Sequence, residues 1–238
     1  MNKVAILYIC IGKYTVFWPE FYNSAEAFLL PECEKTYFVF TDCAHLPHEE
    51  KPNVVKIHQS NMGWPGNTLY RYGMFGNIES LLLPFDYLFF FNANITIVDK
   101  IDAWELLPTE GEGLTLVRHP GLYDHAPNHF PYDRNPRSAA YIPPGHGTHY
   151  YMGGVNGGRK KPFLDLIRTL HARIMDDYAR GVTALHYDES HLNHYALHLP
   201  VKVLTPSYGY PEGPNLPFHP KVYIKDKMKW GGHFYLRN

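Results

Sequence analysis

The sequence predicts an α/β fold, an open wound mixed sheet flanked by helices, in one domain over residues 1–238. Three observations predict it. Apolar runs rich in β-branched and aromatic residues recur through the first hundred residues, and stretches of helical period lie between them. A chain of 238 residues that is 45% hydrophobic and 16% aromatic can also bury one substantial core.

The elements follow in order. Residues 4–11, bounded by Lys3 and Gly12, read as a first buried strand, too short to span a bilayer and without a cleavage pattern. Residues 17–29 carry helical period, residues 36–41 and 54–57 read as strands, residues 69–83 as a second long helix, and Tyr87–Phe91 as a strand. The second half is less regular. Residues 120–147 are rich in Pro, Gly, His and Tyr, after which Lys161-Pro162 opens an amphipathic helix reaching about Tyr178, with Phe163, Ile167, Leu170 and Ile174 on one side. A further helix is expected from Asp188, its side chain capping the following amides, through Leu192 and Leu197. Beyond Pro211 the alternation of Pro, Gly, Lys and aromatic residues has the composition of a mobile closing segment.

Composition narrows the function classes. A formal net charge of −1 gives no bulk attraction to nucleic acid or anionic membrane, so any anion site must be built locally. Cys10, Cys33 and Cys43 have neither zinc-site spacing nor the even count of a disulfide framework, which points to reduced thiols in a cytoplasm.

In wound sheets ligands collect beyond the carboxyl ends of the strands, and two loops there, Gly12-Lys13-Tyr14 and Asn92-Ala93-Asn94, point at one cleft. The second offers two amides. A neutral amide oxygen is a weak ligand for a hard divalent cation when no anionic partner stands beside it. The position is therefore either a metal-independent anion site or a dead one.

Five ordered blocks carry a resemblance across nearly the whole chain: Gly12-Lys13-Tyr14-Thr15 with Phe17-Trp18 behind it, His119-Pro120-Gly121-Leu122-Tyr123, Ser138-Ala139-Ala140-Tyr141-Ile142-Pro143, Tyr150-Tyr151-Met152-Gly153-Gly154 with Gly157-Gly158, and Asp188-Glu189-Ser190-His191-Leu192-Asn193. In these the chain resembles the retaining α-1,3-galactosyl- and N-acetylgalactosaminyltransferases, the family of the blood-group A and B enzymes. The missing anchor and stem make it similar to a bacterial member. The resemblance implies the nucleotide-sugar-binding (GT-A-type) glycosyltransferase fold, with residues 1–100 mainly holding the nucleotide and residues 101–238 mainly the acceptor and the catalytic groups.

What the resemblance implies for single residues follows from motif positions. Ile9, Cys10, Ile11 and Tyr14 match the segment that holds uracil and ribose, and Arg71 matches an arginine that reaches the donor. Asn92, Ala93 and Asn94 stand where the animal enzymes carry their metal-binding Asp-X-Asp, so no metal is expected and the leaving diphosphate must be stabilised by protein cations and amides. Lys227, Lys229 and Arg237 lie where the family closes a lysine and an arginine over the pyrophosphate, with Lys229 and Arg237 as the assigned pair. Glu189 matches the carboxylate on the β face of the sugar, as nucleophile or as shield of an oxocarbenium-like ion, and Asp188 matches its donor-contacting neighbour.

Met152, Gly153 and Gly154 match the donor-discriminating segment. Glycine at Gly154 leaves room for an acetamido group, which favours N-acetylgalactosamine over galactose, although Met152 is the residue of the B-type enzyme. His119 and Tyr123 match the acceptor wall, and His186 stands where the family usually has tryptophan. The expected reaction is transfer from UDP-N-acetylgalactosamine to the 3-hydroxyl of a galactose in a fucosylated, H-antigen-like acceptor, with no nucleic acid and no membrane span. The alternatives are galactose transfer by the same machinery, a metal-dependent enzyme with other ligands, and a catalytically silent carbohydrate- or nucleotide-binding protein.

Overall fold

A computed structural model describes residues 1–237. Its centre is a seven-stranded sheet of β1 (Lys3–Ile9), β2 (Glu34–Thr41), β3 (Val54–His58), β4 (Tyr87–Phe91), β6 (Leu114–Arg118), β7 (Tyr151–Arg159) and β8 (Val201–Leu204). The spatial order is β3-β2-β1-β4-β7-β6-β8. The first four strands run parallel, β7 enters antiparallel between β4 and β6, and β8 is parallel to β6. A small second sheet joins β5 (Ile95–Ile97), β10 (Val222–Ile224) and β9 (Tyr210–Pro211).

Both faces of β1 are covered, which is why its sequence is a continuous apolar run rather than an alternation of apolar and polar residues. Val4, Ile6 and Tyr8 face one cluster with Trp18 and Phe21 of α1 (Trp18–Phe28), whereas Ala5 and Leu7 face the other. That second face is covered by α3 (Arg71–Gly76) and by α6 (Lys160–Ala179), which buries Phe163, Ile167, Leu170 and Ile174 as the pattern predicts. Strand β7 fits between its neighbours because Gly157 and Gly158 have no side chain. A Cβ on Gly157 would lie 2.6 Å from the Leu88 carbonyl oxygen, and one on Gly158 would lie 2.5 Å from that of Gly113.

Several expectations are corrected. The long helix expected at 69–83 is three short ones in succession, α2 (Gly63–Leu69), α3 and α4 (Glu79–Leu82). Tyr70 leaves helical geometry at φ −96°, ψ 13°, and Gly73 packs so closely on His171 of α6 that a Cβ would stand 2.9 Å from its ring. The stretch 12–17 is a 3₁₀ turn leading into α1. Beyond α5 (Ala103–Leu106), α7 spans Tyr187–Ala196 and is flanked by His186 without a side-chain cap, so Asp188 lies inside the first turn and does not cap it. The tail is built as β10, a 3₁₀ turn at Lys227–Trp230 and α8 (Gly232–Arg237). Strands β5 to β10 have no counterpart among the strands read from the sequence.

Candidate active site

A cleft of about 200 Å³ opens beyond the carboxyl ends of β1 and β4. Ile9, Ile11 and Tyr14 line it from the β1 side, and Phe90, Asn92 and Ala93 from β4. The α2–α3 segment adds Trp64 and Arg71, and the tail adds Lys227 and Arg237. Cys10 is fully buried in the core, with its backbone N–H donated to Phe40, and contributes no side chain to the cleft.

Arg71 anchors one end. Its Nε lies 3.0 Å from Asp188 Oδ2 and donates to the Thr68 carbonyl at 3.1 Å, while Nη1 donates to the Gly153 carbonyl at 3.1 Å. Its guanidinium also lies over the Phe90 ring, 4.6 Å from the centroid. One buried cation thus ties α3, α7 and β7 together.

Beside it, Glu189 accepts at both oxygens, from Tyr150 Oη at 2.9 Å and from the Gly153 N–H at 2.7 Å. Asn193, one turn along α7, pins that helix to β7 by exchanging hydrogen bonds with the backbone of Tyr151 at 2.9 Å each way. Tyr150 is a functional candidate that residue-by-residue matching missed, although it stands inside a matched block. The His119 ring packs 5.8 Å and the His186 ring 6.4 Å from Tyr150. The Tyr123 ring lies edge-on to Phe218 at 4.9 Å.

The two asparagines part company. Asn92 lines the cleft, but Asn94 is 3% exposed and bonded elsewhere: Asn92 Nδ2 donates to Asn94 Oδ1 at 3.1 Å, and Asn94 Nδ2 donates to the Lys225 carbonyl at 2.8 Å. A divalent cation does not fit such a pair, because both groups are neutral and one has its oxygen and its nitrogen already engaged.

The tail cations part likewise. Lys229 is exposed and paired with Glu212 at 2.6 Å, away from the cleft lining, whereas Lys227 lines the cleft. Arg237 lies over the Trp64 ring at 3.4 Å, and its Nε is buried with no hydrogen-bond partner among the described residues. Trp64 had no role assigned from sequence, and Lys227 was named there as a tail candidate but Lys229 was preferred to it. Trp64 has no flanking motif, and an irregular tail offers no period by which to rank its lysines.

Electrostatics set a narrow window. Burial pushes the Asp188 carboxyl up to about 7, with Arg71 pulling the other way and Glu189 adding to the rise. Burial, then the nearby charges of Arg237 and Arg71, bring Lys227 down to about 8. His119 is lowered by burial, against the pull of Glu189.

The amino-acid sequence matches glycosyltransferase family 6 over residues 2–225. The chain belongs to that family. It is similar to the O-antigen biosynthesis glycosyltransferase WbnI of Escherichia coli, 32% identical over 232 residues, with 97% of this chain and 98% of that protein covered. It is 30% identical over 236 residues to globoside alpha-1,3-N-acetylgalactosaminyltransferase 1 of Gallus gallus, covering 93% of this chain and 65% of the relative. It is 32% identical over 215 residues to histo-blood group ABO system transferase 1 of Rattus norvegicus, covering 87% and 60%. In this glycosyltransferase Lys227 and Arg237 lie beyond the stretch that matches the family, and both line the cleft. Among the described residues no helix is long and apolar enough to cross a membrane.

The two displaced groups predict a pH profile for the glycosyltransferase. Asp188 is ionised above about 7 and Lys227 is charged below about 8, so kcat/KM for the donor is expected to be bell-shaped with limbs near those values. Lys227→Gln is expected to lower the plateau and remove the alkaline limb while leaving the acid limb in place, as initial rates across the pH range would record.

Proposed function

We propose that this family 6 member is a retaining transferase that moves N-acetylgalactosamine from its uridine diphosphate carrier, in α-1,3 linkage, to the galactose of a fucosylated, H-antigen-like acceptor. It works without a divalent metal. The observation that carries the reading is Glu189, whose carboxylate is held by Tyr150 and Gly153 next to the cleft that ends in Arg71, Lys227 and Arg237.

In that arrangement Ile9, Ile11 and Tyr14 receive the uridine, and Lys227, Arg237 and the Asn92 amide receive the diphosphate. The cations hold the charge that builds as the bond from the anomeric carbon to the diphosphate oxygen breaks, each charge-assisted hydrogen bond contributing about 1.5–3 kcal/mol. Glu189 shields the oxocarbenium-like carbon on its β face. The acceptor 3-hydroxyl approaches on the face the diphosphate leaves, and a β-phosphate oxygen takes its proton, so no histidine base is required. His119 and His186 flank Tyr150 on the acceptor side. The three cysteines, free in the fold, support a reducing compartment such as the cytoplasm.

One observation favours galactose as a second reading. The Met152 Cε lies 3.0 Å from where a Cβ on Gly154 would stand, so the thioether already occupies part of the space that glycine leaves. Galactose transfer is the alternative, with the same catalytic groups.

The test is transfer to 2′-fucosyllactose from the uridine-diphosphate derivatives of N-acetylgalactosamine and of galactose, each in chelator and in Mn²⁺. Product from the N-acetylated donor, equal in both media, is the expected result. Product only from the galactosyl donor overturns the sugar assignment, and product only in Mn²⁺ overturns metal independence. Failure of both donors points to a silent binding protein or another acceptor.

A further inference from the structure

We infer that Asn94 is a positioning residue whose side-chain amide clasps the base of the C-terminal segment and thereby sets Lys227 over the cleft. Three hydrogen bonds make the clasp. Asn94 Oδ1 accepts from Asn92 at 3.1 Å, Asn94 Nδ2 donates to the Lys225 carbonyl at 2.8 Å, and the Lys225 N–H donates to the Asn94 carbonyl at 2.8 Å. The last bond continues the antiparallel ladder of β5 and β10, whose final pair is Ile224 with Ile95.

The next residue is fixed as well. The Asp226 N–H donates to Glu212 at 2.9 Å, and the Asp226 carboxylate accepts from the Met228 N–H at 2.9 Å, opening the 3₁₀ turn that begins at Lys227. The end of β4 and the root of the tail are therefore one corner, with Asn92 on its cleft side and Lys227 two residues beyond the clasp.

Only an amide meets these demands. Asn94 must accept from one neighbour and donate to a backbone carbonyl, which has no proton to give. A carboxylate would set acceptor against acceptor at a position 3% exposed, where an unmet polar group costs more than a lost surface bond. The asparagine is thus suited to a mechanical task that aspartate could not perform. The clasp stands on these contacts alone, and its link to ligand binding rests on the donor reading of Lys227.

The experiment uses the full chain and UDP as probe. Hydrogen exchange followed by mass spectrometry is compared between the wild type, Asn94→Asp and Asn94→Ala, the alanine variant removing the donor without adding charge in case the aspartate variant does not fold. Expected is faster exchange across residues 225–237 with β1 and β4 unchanged. By calorimetry Asn94→Ala weakens UDP binding about tenfold, equivalent to ~1.4 kcal/mol. In a Lys227→Ala background the same change has almost no further effect, because the clasp acts through that lysine. Wild-type exchange in the tail of Asn94→Ala, or losses from Asn94→Ala and Lys227→Ala that multiply in full, would overturn the inference. Absence of UDP binding by the wild type would sink the donor reading and the lysine link with it, and the exchange data would still decide the clasp.

Discussion

Glu189→Gln is expected to lower transfer about a thousandfold, the scale of losing a pre-placed charge at a developing transition state, with UDP affinity unchanged. The substitution is suited to the question because the pocket can accept it. Glutamine keeps the size of glutamate, its oxygen can take the Gly153 N–H, and its NH₂ can donate to Tyr150 Oη once the phenol rotates to accept. The fold and the donor cleft then stay as they are, and only the negative charge is removed. Steady-state rates beside UDP calorimetry check it. A variant that keeps most of its turnover would remove Glu189 from the chemistry, whereas one that loses UDP binding as well would show a structural role.

The second large effect falls on stability. Arg71→Leu is expected to cost about 3 kcal/mol, because it strands Asp188, 2% exposed, and withdraws donors from the Thr68 and Gly153 carbonyls. Adding Asp188→Asn should recover part of that loss, since a neutral amide needs no counter-charge. Transfer should not return with it, because under the proposed reading both residues serve the donor. Urea unfolding of the two single variants and the double variant, read as a cycle, gives the coupling. Simple addition of the two stability losses would mean that the pair is not coupled in the folded state.

The sequence made the strands with long apolar runs legible, because β1, β2 and β4 are buried on both sides and need no pattern beyond hydrophobicity. Strand β8 is only four residues long and buried only at Leu204, so it does not stand out from its surroundings. Leu69 to Leu83 has a helical spacing of apolar residues, but the backbone leaves helical geometry at Tyr70 and again at Ile78, so the pattern runs over separate short helices. At the site, Asp188, Glu189 and Arg71 were named from motif positions and meet in space across 117 residues of chain. The choice between Lys227 and Lys229 was not legible, since two residues apart in an irregular tail can point anywhere. The same holds for Asn94, because only the fold brings its amide to a carbonyl that lies 131 residues away in sequence.

The thioether of Met152 lies over Gly154 and also against Gly209, where a Cβ would collide with it. Under the proposed donor reading, one side chain both borders the sugar and fills a seam between β7 and the turn at 206–209. Changes of sugar preference in this lineage would therefore be order-dependent. A bulkier residue at 152 would first have to find room beside Gly209, and a smaller one would leave a hole there before any new sugar was gained. Evolution toward another donor should then proceed by paired substitutions at 152 and its packing neighbours, and a historical reconstruction made one residue at a time would cross unstable intermediates.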